Sequence, residues 1–490
     1  MPFSSFGFFL FFGIVLLFLA IARKQQTKKL FLLVASYFFY GCWDWRFTLL
    51  LMLMTVANYG FGLGIARVDR PARAGRLEQA GQTTARAVCS RLKKLLLFTA
   101  IAFNLGVLGF FKYCNFFIES AGAALQTLQI SSTANLPQLD IILPIGISFI
   151  TFQVVSYVVD IYRGEIAAAE TFLDFALLTA FFPSLVAGPI LKAKQFLPEL
   201  KQKIVIRRQN VIFGMQLFLL GMFRKVVIAD QLALYVNTVF DSPQDFSTAT
   251  IWLVVLAYAI QIYCDFSGYS DMAIGAAKCL GYDIPINFNV PYISRSITEF
   301  WRRWHISLST WLREYIYIPL GGNRKGKARQ YLNLWLVMLL GGLWHGASWN
   351  FVLWGALHGA ALAIHKFYAD FIRDRIKLPA PIYNGLTWAI TLLFVCTTWV
   401  LFRATSFADA FTIFQKMFSW SPAGLNWYGT GLIIALPGIV IADYLGHLLS
   451  KGHYVLRFNR FRHWFWLSFW LLGLLFLAPQ TPQPFVYAQF

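Results

Sequence analysis

The chain has 490 residues, 58% of them hydrophobic and 13% charged. Water-soluble domains carry about 25% charged residues, so this composition excludes an ordinary soluble protein and places most of the surface in lipid. The net charge of +20, from 42 basic and 22 acidic residues, suits cytoplasmic loops that obey the positive-inside rule rather than a nucleic-acid partner; some of the basic residues remain for lipid headgroups or an anionic ligand.

In chain order, apolar runs recur at Phe8–Ala22, Phe47–Ala66, Leu95–Phe111, Ile251–Tyr263, Trp388–Phe402, Leu432–Ile441 and Trp464–Ala478. A span needs roughly 20 mostly apolar residues. Several runs are shorter, and Gly or Pro interrupts others, so the count is about 11 to 13 membrane segments, some of them half-helices or re-entrant loops buried by protein. The first run lacks a basic leader and a small-residue cleavage site, and reads as a retained helix.

Charge sets the predicted orientation. Arg23, Lys24, Lys28 and Lys29 follow the first run and are cytoplasmic, which places the N-terminus outside. The next span, Leu30 to Cys42, ends in the aromatic anchor Trp43-Asp44-Trp45. Arg67–Lys94 holds eight basic and two acidic residues and is cytoplasmic. Glu119–Asp140 has no Lys or Arg and lies outside. Asp160–Glu165, Lys192–Arg208, Asp283–Gln330 and His447–His463 are inside, Asp241–Thr250 is outside, and the C-terminus is outside. The chain reads as one all-α membrane domain over 1–490: N-terminal helices to 140, a motif-bearing core over 141–360, and C-terminal helices from 361. Six cysteines, at 42, 89, 114, 264, 279 and 396, stand singly, with no CxxC pair. This pattern predicts neither a disulfide framework nor a metal site.

The core opens with Leu143-Pro144-Ile145-Gly146-Ile147, where Pro144 and Gly146 predict a kinked helix start. Phe181–Ile190 carries two prolines and a glycine beside Lys192, and reads as a re-entrant turn. Tyr263–Asp271 puts Asp265 and Asp271 at the end of a span. At i and i+6 they lie on different faces, so a paired acid/base site is not expected; capping and nearby arginines account for them. In Ile297–Glu314, helical register puts Trp301, Trp304, Leu308 and Trp311 on one stripe. Arg302, His305, Ser309 and Arg313 fall on another. Such a helix lies at the interface. Its arginines meet lipid phosphates or, with Arg303, hold a phosphorylated donor in a cytoplasmic funnel.

His345 lies within Leu339–Trp349, an apolar stretch with Gly341, Gly342 and Gly346. A titratable side chain in hydrocarbon marks a functional site by default. A helix starting near Tyr331 would carry His345 about 21 Å along its axis. Gly341 and Gly342 would let a neighbouring helix approach, and Gly346 would leave room beside the imidazole. His358 ranks behind His345. His365, His447, His453 and His463 sit at or near basic boundaries and need no special role.

Taken together, Phe111-Lys112-Tyr113, Leu143–Gln153, Asp160–Gly164, Phe182–Ile190, Tyr263–Asp271, Asn287–Arg324, Gly341–Gly359, Trp399–Ala404 and Pro484–Phe490 resemble the membrane-bound O-acyltransferase superfamily. The likeness is to its bacterial branch, which O-acetylates alginate, peptidoglycan or cellulose. The resemblance implies a helical fold around a tunnel, with His345 as the catalytic histidine and His305 as its second. It implies acetyl-CoA as the cytoplasmic donor, no permanently bound cofactor, and a separate periplasmic SGNH/GDSL-type partner that acetylates the glycan.

An alcohol attacking a thioester needs a nearby base. A neutral His345 suits that task, and His305 would orient the thioester or stabilise the oxyanion. Pro484–Phe490 reads either as an aromatic belt or as a tail whose Tyr487 hydroxyl relays acetyl as an ester. Two other readings stand beside this one: a transporter or flippase with broken helices, and D-alanyl transfer to teichoic acids.

Overall fold

The computed structural model describes residues 1–73, 83–129, 136–419, 423–427, 432–433, 435–441, 461–478 and 484–486. Tyr487, His447 and His453 lie outside the described residues, as do parts of the loops Arg67–Lys94 and Glu119–Asp140. The described chain is helical, and no β-strand forms among its residues. Five helical stretches are long and apolar enough to cross a membrane: Trp45–Asp69, Ala87–Thr127, Arg208–Asp241, Thr248–Cys279 and Ala380–Arg403. Phe6–Ile21 and Ser468–Leu477 are shorter apolar helices. The protein is an all-α integral membrane protein.

The chain packs as two compact units, Met1–Gly214 with Ala276–Pro285, and Met215–Gly275 with Ile286–Phe490. The first contains α1 (Phe6–Ile21), α2 (Gln25–Gly41), α3 (Trp45–Arg73), α4 (Thr83–Leu108), α5 (Cys114–Thr127), α6 (Ile147–Arg163), α7 (Phe172–Ala180), α8 (Phe182–Leu185) and α9 (Ala193–Lys201). Phe8, Phe11, Phe12 and Phe39 surround Phe182, at ring separations of 5.2 to 6.4 Å. Polar groups in this unit satisfy one another. Asn58 and Asn104 exchange amide hydrogen bonds at 2.9 and 2.7 Å, and Lys29 meets Asp174 at 2.5 Å.

Two of the expected irregularities lie here. Helix α6 starts only after Gly146, whose φ of +78° is left-handed, so Pro144 and Gly146 lie ahead of the helix rather than within its first turn. A Cβ at Gly146 would strike the carbonyl of Leu185. Over Phe172–Leu185 the chain forms pieces of 9 and 4 residues, neither long enough to span. Pro183 sits in the first turn of the second piece, where its missing N–H costs nothing.

The helix α10 (Arg208–Met222) leads into the second unit. A wide π-turn, Phe223–Ala229, continues it into α11 (Asp230–Asp241). Then come α12 (Thr248–Cys279), α13 (Ile297–Arg303), α14 (Ile306–Leu312), a second π-turn at Arg313–Tyr317, α15 (Lys327–His345), α16 (Trp349–Phe371), α17 (Ala380–Arg403), α18 (Phe407–Phe418) and α19 (Phe461–Leu477). Tyr263–Asp271 is not a span end, because α12 runs unbroken through it for 32 residues. Gly268 serves packing instead: its missing side chain lets the backbone at Gly221 approach. Asp271 pairs with Arg224 at 2.5 Å, as expected of a carboxylate beside an arginine.

Helices α15 and α16 form an antiparallel hairpin around Gly342 and Gly355. A Cβ at Gly342 would meet the carbonyl of Phe351, and one at Gly355 the carbonyl of Met338. Both obstacles are backbone, so neither can swing aside. We predict that Gly355→Ala forces the hairpin apart at about 1–3 kcal/mol, lowering the melting temperature in detergent. A melting point equal to the parent's would show that the helices have slack.

Candidate active site

The site begins at a turn that the helical register of Ile297–Glu314 did not anticipate. The expected continuous helix breaks at Trp304 and His305. His305 has φ +42° and ψ +57°, a left-handed conformation that a residue with a Cβ adopts only when its surroundings impose it. Those surroundings are the non-helical segment Asn287–Asn289. The carbonyl of Asn287 accepts from Ile306 N–H at 2.9 Å, and Asn289 N–H donates to the carbonyl of Arg303 at 2.9 Å. The break abolishes the stripe that joined Arg302, His305, Ser309 and Arg313 on one face.

The side chain of Asn287 then fixes the imidazole. Its Oδ1 accepts from Ser307 N–H at 3.2 Å and from Ser307 Oγ at 2.9 Å, while its Nδ2 donates to Ser270 Oγ at 3.3 Å. A backbone N–H can only donate, so the atom facing Ser307 is the amide oxygen. The same oxygen lies 3.2 Å from His305 Nδ1. That nitrogen must therefore carry the ring proton, and in the neutral ring Nε2 holds the lone pair. Phe266 stands edge-on to the ring at 4.7 Å and 87°. Asn287 and His305 are buried at 1% and 0% exposure.

His345 is the last residue of α15, not a mid-helix residue. From Lys327 it lies about 27 Å along the axis at 1.5 Å per residue, farther than a start at Tyr331 implied. Trp344, Trp354 and Phe402 surround its ring at 5.0, 5.2 and 5.3 Å. The ring of His305 is 6.4 Å away. The room expected beside Gly346 is occupied: a Cβ there would run into the ring of Phe351, which packs edge-on to Phe402 at 4.8 Å. Gly342 does allow close helix approach, whereas Gly341 faces the side chain of Leu312.

His358 is committed to structure. Its Nδ1 accepts from Trp301 Nε1 at 3.3 Å, and its Nε2 faces Thr398 Oγ1 at 3.0 Å. It packs at 4.6 Å on Trp354, and so braces a wall of the His345 pocket. His365 Nδ1 meets Thr298 Oγ1 at 2.9 Å, which also fits a structural role.

The predicted donor-binding residues separate. Arg303 is tied internally, to Glu299 at 2.9 Å and to the Asn289 carbonyl at 3.1 Å. Ser309 Oγ points back to the carbonyl of Trp304 at 3.4 Å. Arg302 and Arg313 are exposed. Asn287, Trp354 and Phe402 fall inside the family-like pieces Asn287–Arg324, Gly341–Gly359 and Trp399–Ala404, but the sequence assigned them no role at the site. An asparagine 18 positions upstream of a histidine carries no periodic signal; only the non-helical segment between α12 and α13 brings it there.

Two buried imidazoles, one of fixed tautomer and one in an aromatic box, can handle protons away from water. Comparison with known proteins gives this arrangement a class. The description "MBOAT, membrane-bound O-acyltransferase family" matches residues 169–407. A "Probable alginate O-acetylase" of Pseudomonas aeruginosa is 41% identical over 91% of this chain and 80% of its own length. The "Peptidoglycan O-acetyltransferase" of Helicobacter pylori is 36% identical over 83% of this chain and 76% of its own. A "Teichoic acid D-alanyltransferase" of Bacillus subtilis is 25% identical over 54% of this chain and 69% of its own. The fold and these relatives define a membrane-embedded O-acyltransferase, which answers the transporter reading. The chain belongs to the membrane-bound O-acyltransferase family.

If Asn287 sets both the tautomer and the turn, Asn287→Ala lowers the maximal acyl-transfer rate at least about tenfold, or 1.4 kcal/mol. Asn287→Asp, which keeps the acceptor oxygens, recovers part of the loss. A rate unchanged in Asn287→Ala would remove the residue from the site.

Proposed function

We propose that this protein takes acetyl from cytoplasmic acetyl-CoA and passes it across the bacterial inner membrane for O-acetylation of a cell-surface polysaccharide, with a periplasmic SGNH-type protein as the final transferase. The observation that carries the chemistry is the pair His305 and His345, 6.4 Å apart between ring centres and both buried. The relatives named for alginate and peptidoglycan O-acetylation support acetyl as the group and a glycan as its destination. D-alanyl transfer is less favoured, because that relative matches at lower identity over about half of the chain.

In this reading a hydroxyl oxygen attacks the thioester carbonyl, and His345 takes the hydroxyl proton. The tetrahedral intermediate collapses, the C–S bond breaks, and the CoA thiolate leaves and is protonated. With its ring proton committed to Asn287, neutral His305 offers only a lone pair at Nε2, so of the two expected roles, orienting the thioester and stabilising the oxyanion, it keeps the first. Tyr487 serves as the intermediate acceptor: its phenol carries acetyl as an ester that the partner's nucleophile then removes. The basic loops orient the N- and C-termini to the periplasm.

His345→Ala should insert normally and lose glycan O-acetylation in cells, along with acetyl-CoA turnover by the purified protein. Acetylation retained above a few per cent, with expression matched, would sink His345 as the base.

The exposed arginines serve the phosphates of the donor. Arg302→Gln and Arg313→Gln should raise the half-saturation for acetyl-CoA and leave the maximal rate nearly intact. Arg303→Gln should instead destabilise the turn that Arg303 holds. If the two exposed variants lose only maximal rate, they position the site rather than bind donor.

A further inference from the structure

Asp265 lies near the middle of α12, and its two carboxylate oxygens serve different parts of the second unit. Oδ1 meets Lys225 Nζ, from the π-turn Phe223–Ala229, at 2.5 Å. Oδ2 accepts from the backbone N–H of Val486 at 2.8 Å. Lys225 also meets Asp230 Oδ1 at 2.8 Å. The side chains of Lys225, Asp230 and Asp265 are 11%, 3% and 2% exposed. Carboxylates buried this deeply need donors from the protein. The peptide N–H of Val486 is one of them.

The neighbour of Val486 reaches the site. Phe485 lies 4.9 Å from Tyr269 and 5.8 Å from Phe266, both within a turn of Asp265 on α12. Phe266 is the ring standing edge-on to His305. A continuous series of contacts therefore runs from Lys225 through Asp265, Val486, Phe485 and Phe266 to the imidazole. Val486 is 7% exposed. In their described part, then, these residues are docked on a buried helix, a placement that differs from an aromatic belt at the membrane surface.

We propose that Asp265 and Phe485 are positioning residues of the acyl-transfer site: the Lys225–Asp265–Asp230 cluster fixes the backbone at Val486, which holds Phe485 against Phe266 and so sets the imidazole of His305. The proposal rests on the acyl-transfer reading only for its rate measurement. Its geometric content concerns His305 and is tested without turnover.

The test uses the full-length protein purified in detergent, with Phe485→Ala, Phe485→Leu and Asp265→Ala compared with the parent. Diethyl pyrocarbonate modification of His305 is followed by mass mapping. The rate is expected to rise about threefold in Phe485→Ala and Asp265→Ala as the packing opens locally, and to return toward the parent's in Phe485→Leu. The maximal rate of acetyl-CoA turnover should fall about tenfold in Phe485→Ala, as for a misplaced catalytic group. Its half-saturation and melting temperature should stay near the parent's. A modification rate equal to the parent's in Phe485→Ala overturns the proposal, whether or not Asp265→Ala folds. If the parent shows no turnover but His305 becomes more reactive in Phe485→Ala, the positioning stands and the acyl-transfer reading is what fails.

Discussion

The amide oxygen of Asn287 accepts from the backbone of Ser307 and from its hydroxyl, and it faces the ring proton of His305. Three donors on one acceptor hold together a turn that is otherwise unfavourable. The left-handed backbone at His305 costs of order 1–3 kcal/mol. The bonds between Asn287–Asn289 and Arg303–Ser307 offset that cost and convert it into position. Because the helix must stop at Trp304 for the turn to form, the imidazole projects from a turn between two short helices. The chemistry proposed for this protein therefore depends on a structural asparagine as much as on its histidines.

The same logic governs the charges. Water is scarce in these interiors, so every buried ion needs a protein partner. In the first unit Lys29 and Asp174 pair, and Thr171 Oγ1 donates to the same carboxylate at 2.9 Å. In the second, Lys225 is shared by Asp230 and Asp265, and the backbone N–H of Val486 also donates to Asp265. The π-turn at Phe223–Ala229 contributes directly. An extra residue per turn widens the helix locally and shifts the register of its side chains, and both Arg224 and Lys225 lie within it, each meeting a carboxylate of α12.

What could be read from the sequence was set by composition and by single residues whose placement is expensive. A 58% hydrophobic chain has little choice but lipid, and an imidazole amid Leu339–Trp349 implied a site. The family likeness rested on the order of many small pieces, and the comparisons support it. Local geometry was less legible. The tryptophan and arginine stripes of Ile297–Glu314 were read by assuming one helix, yet hydrophobic periodicity cannot report a left-handed residue imposed by a segment 18 positions away. Tyr263–Asp271 was read as the end of a span, whereas α12 runs on to Cys279 and Gly268 accommodates the backbone at Gly221. Both carboxylates were expected to cap or to meet nearby arginines; Asp271 does meet Arg224, whereas Asp265 meets Lys225 and Val486 through long-range contacts that no local pattern encodes.

The ends of elements matter more here than their middles. His345 closes α15, His305 precedes α14, and Asn287 lies in the non-helical segment after α12. A helix interior uses its backbone groups internally and holds its side chains on a fixed lattice, so it offers few directions in which to aim a ring. Helix ends release that lattice, but at membrane depth they must find other partners for the freed N–H and C=O groups. The glycines of the α15–α16 hairpin and the bonds of Asn287 meet these two demands in different ways. Close packing at Gly342 and Gly355 brings Trp354 against the end of α15, where it walls the His345 pocket together with Trp344 and Phe402. Side-chain and backbone hydrogen bonds support the other end, at His305. One imidazole is thus confined by shape and the other by hydrogen bonding, a division suited to a base that must change protonation state beside a partner whose tautomer must not.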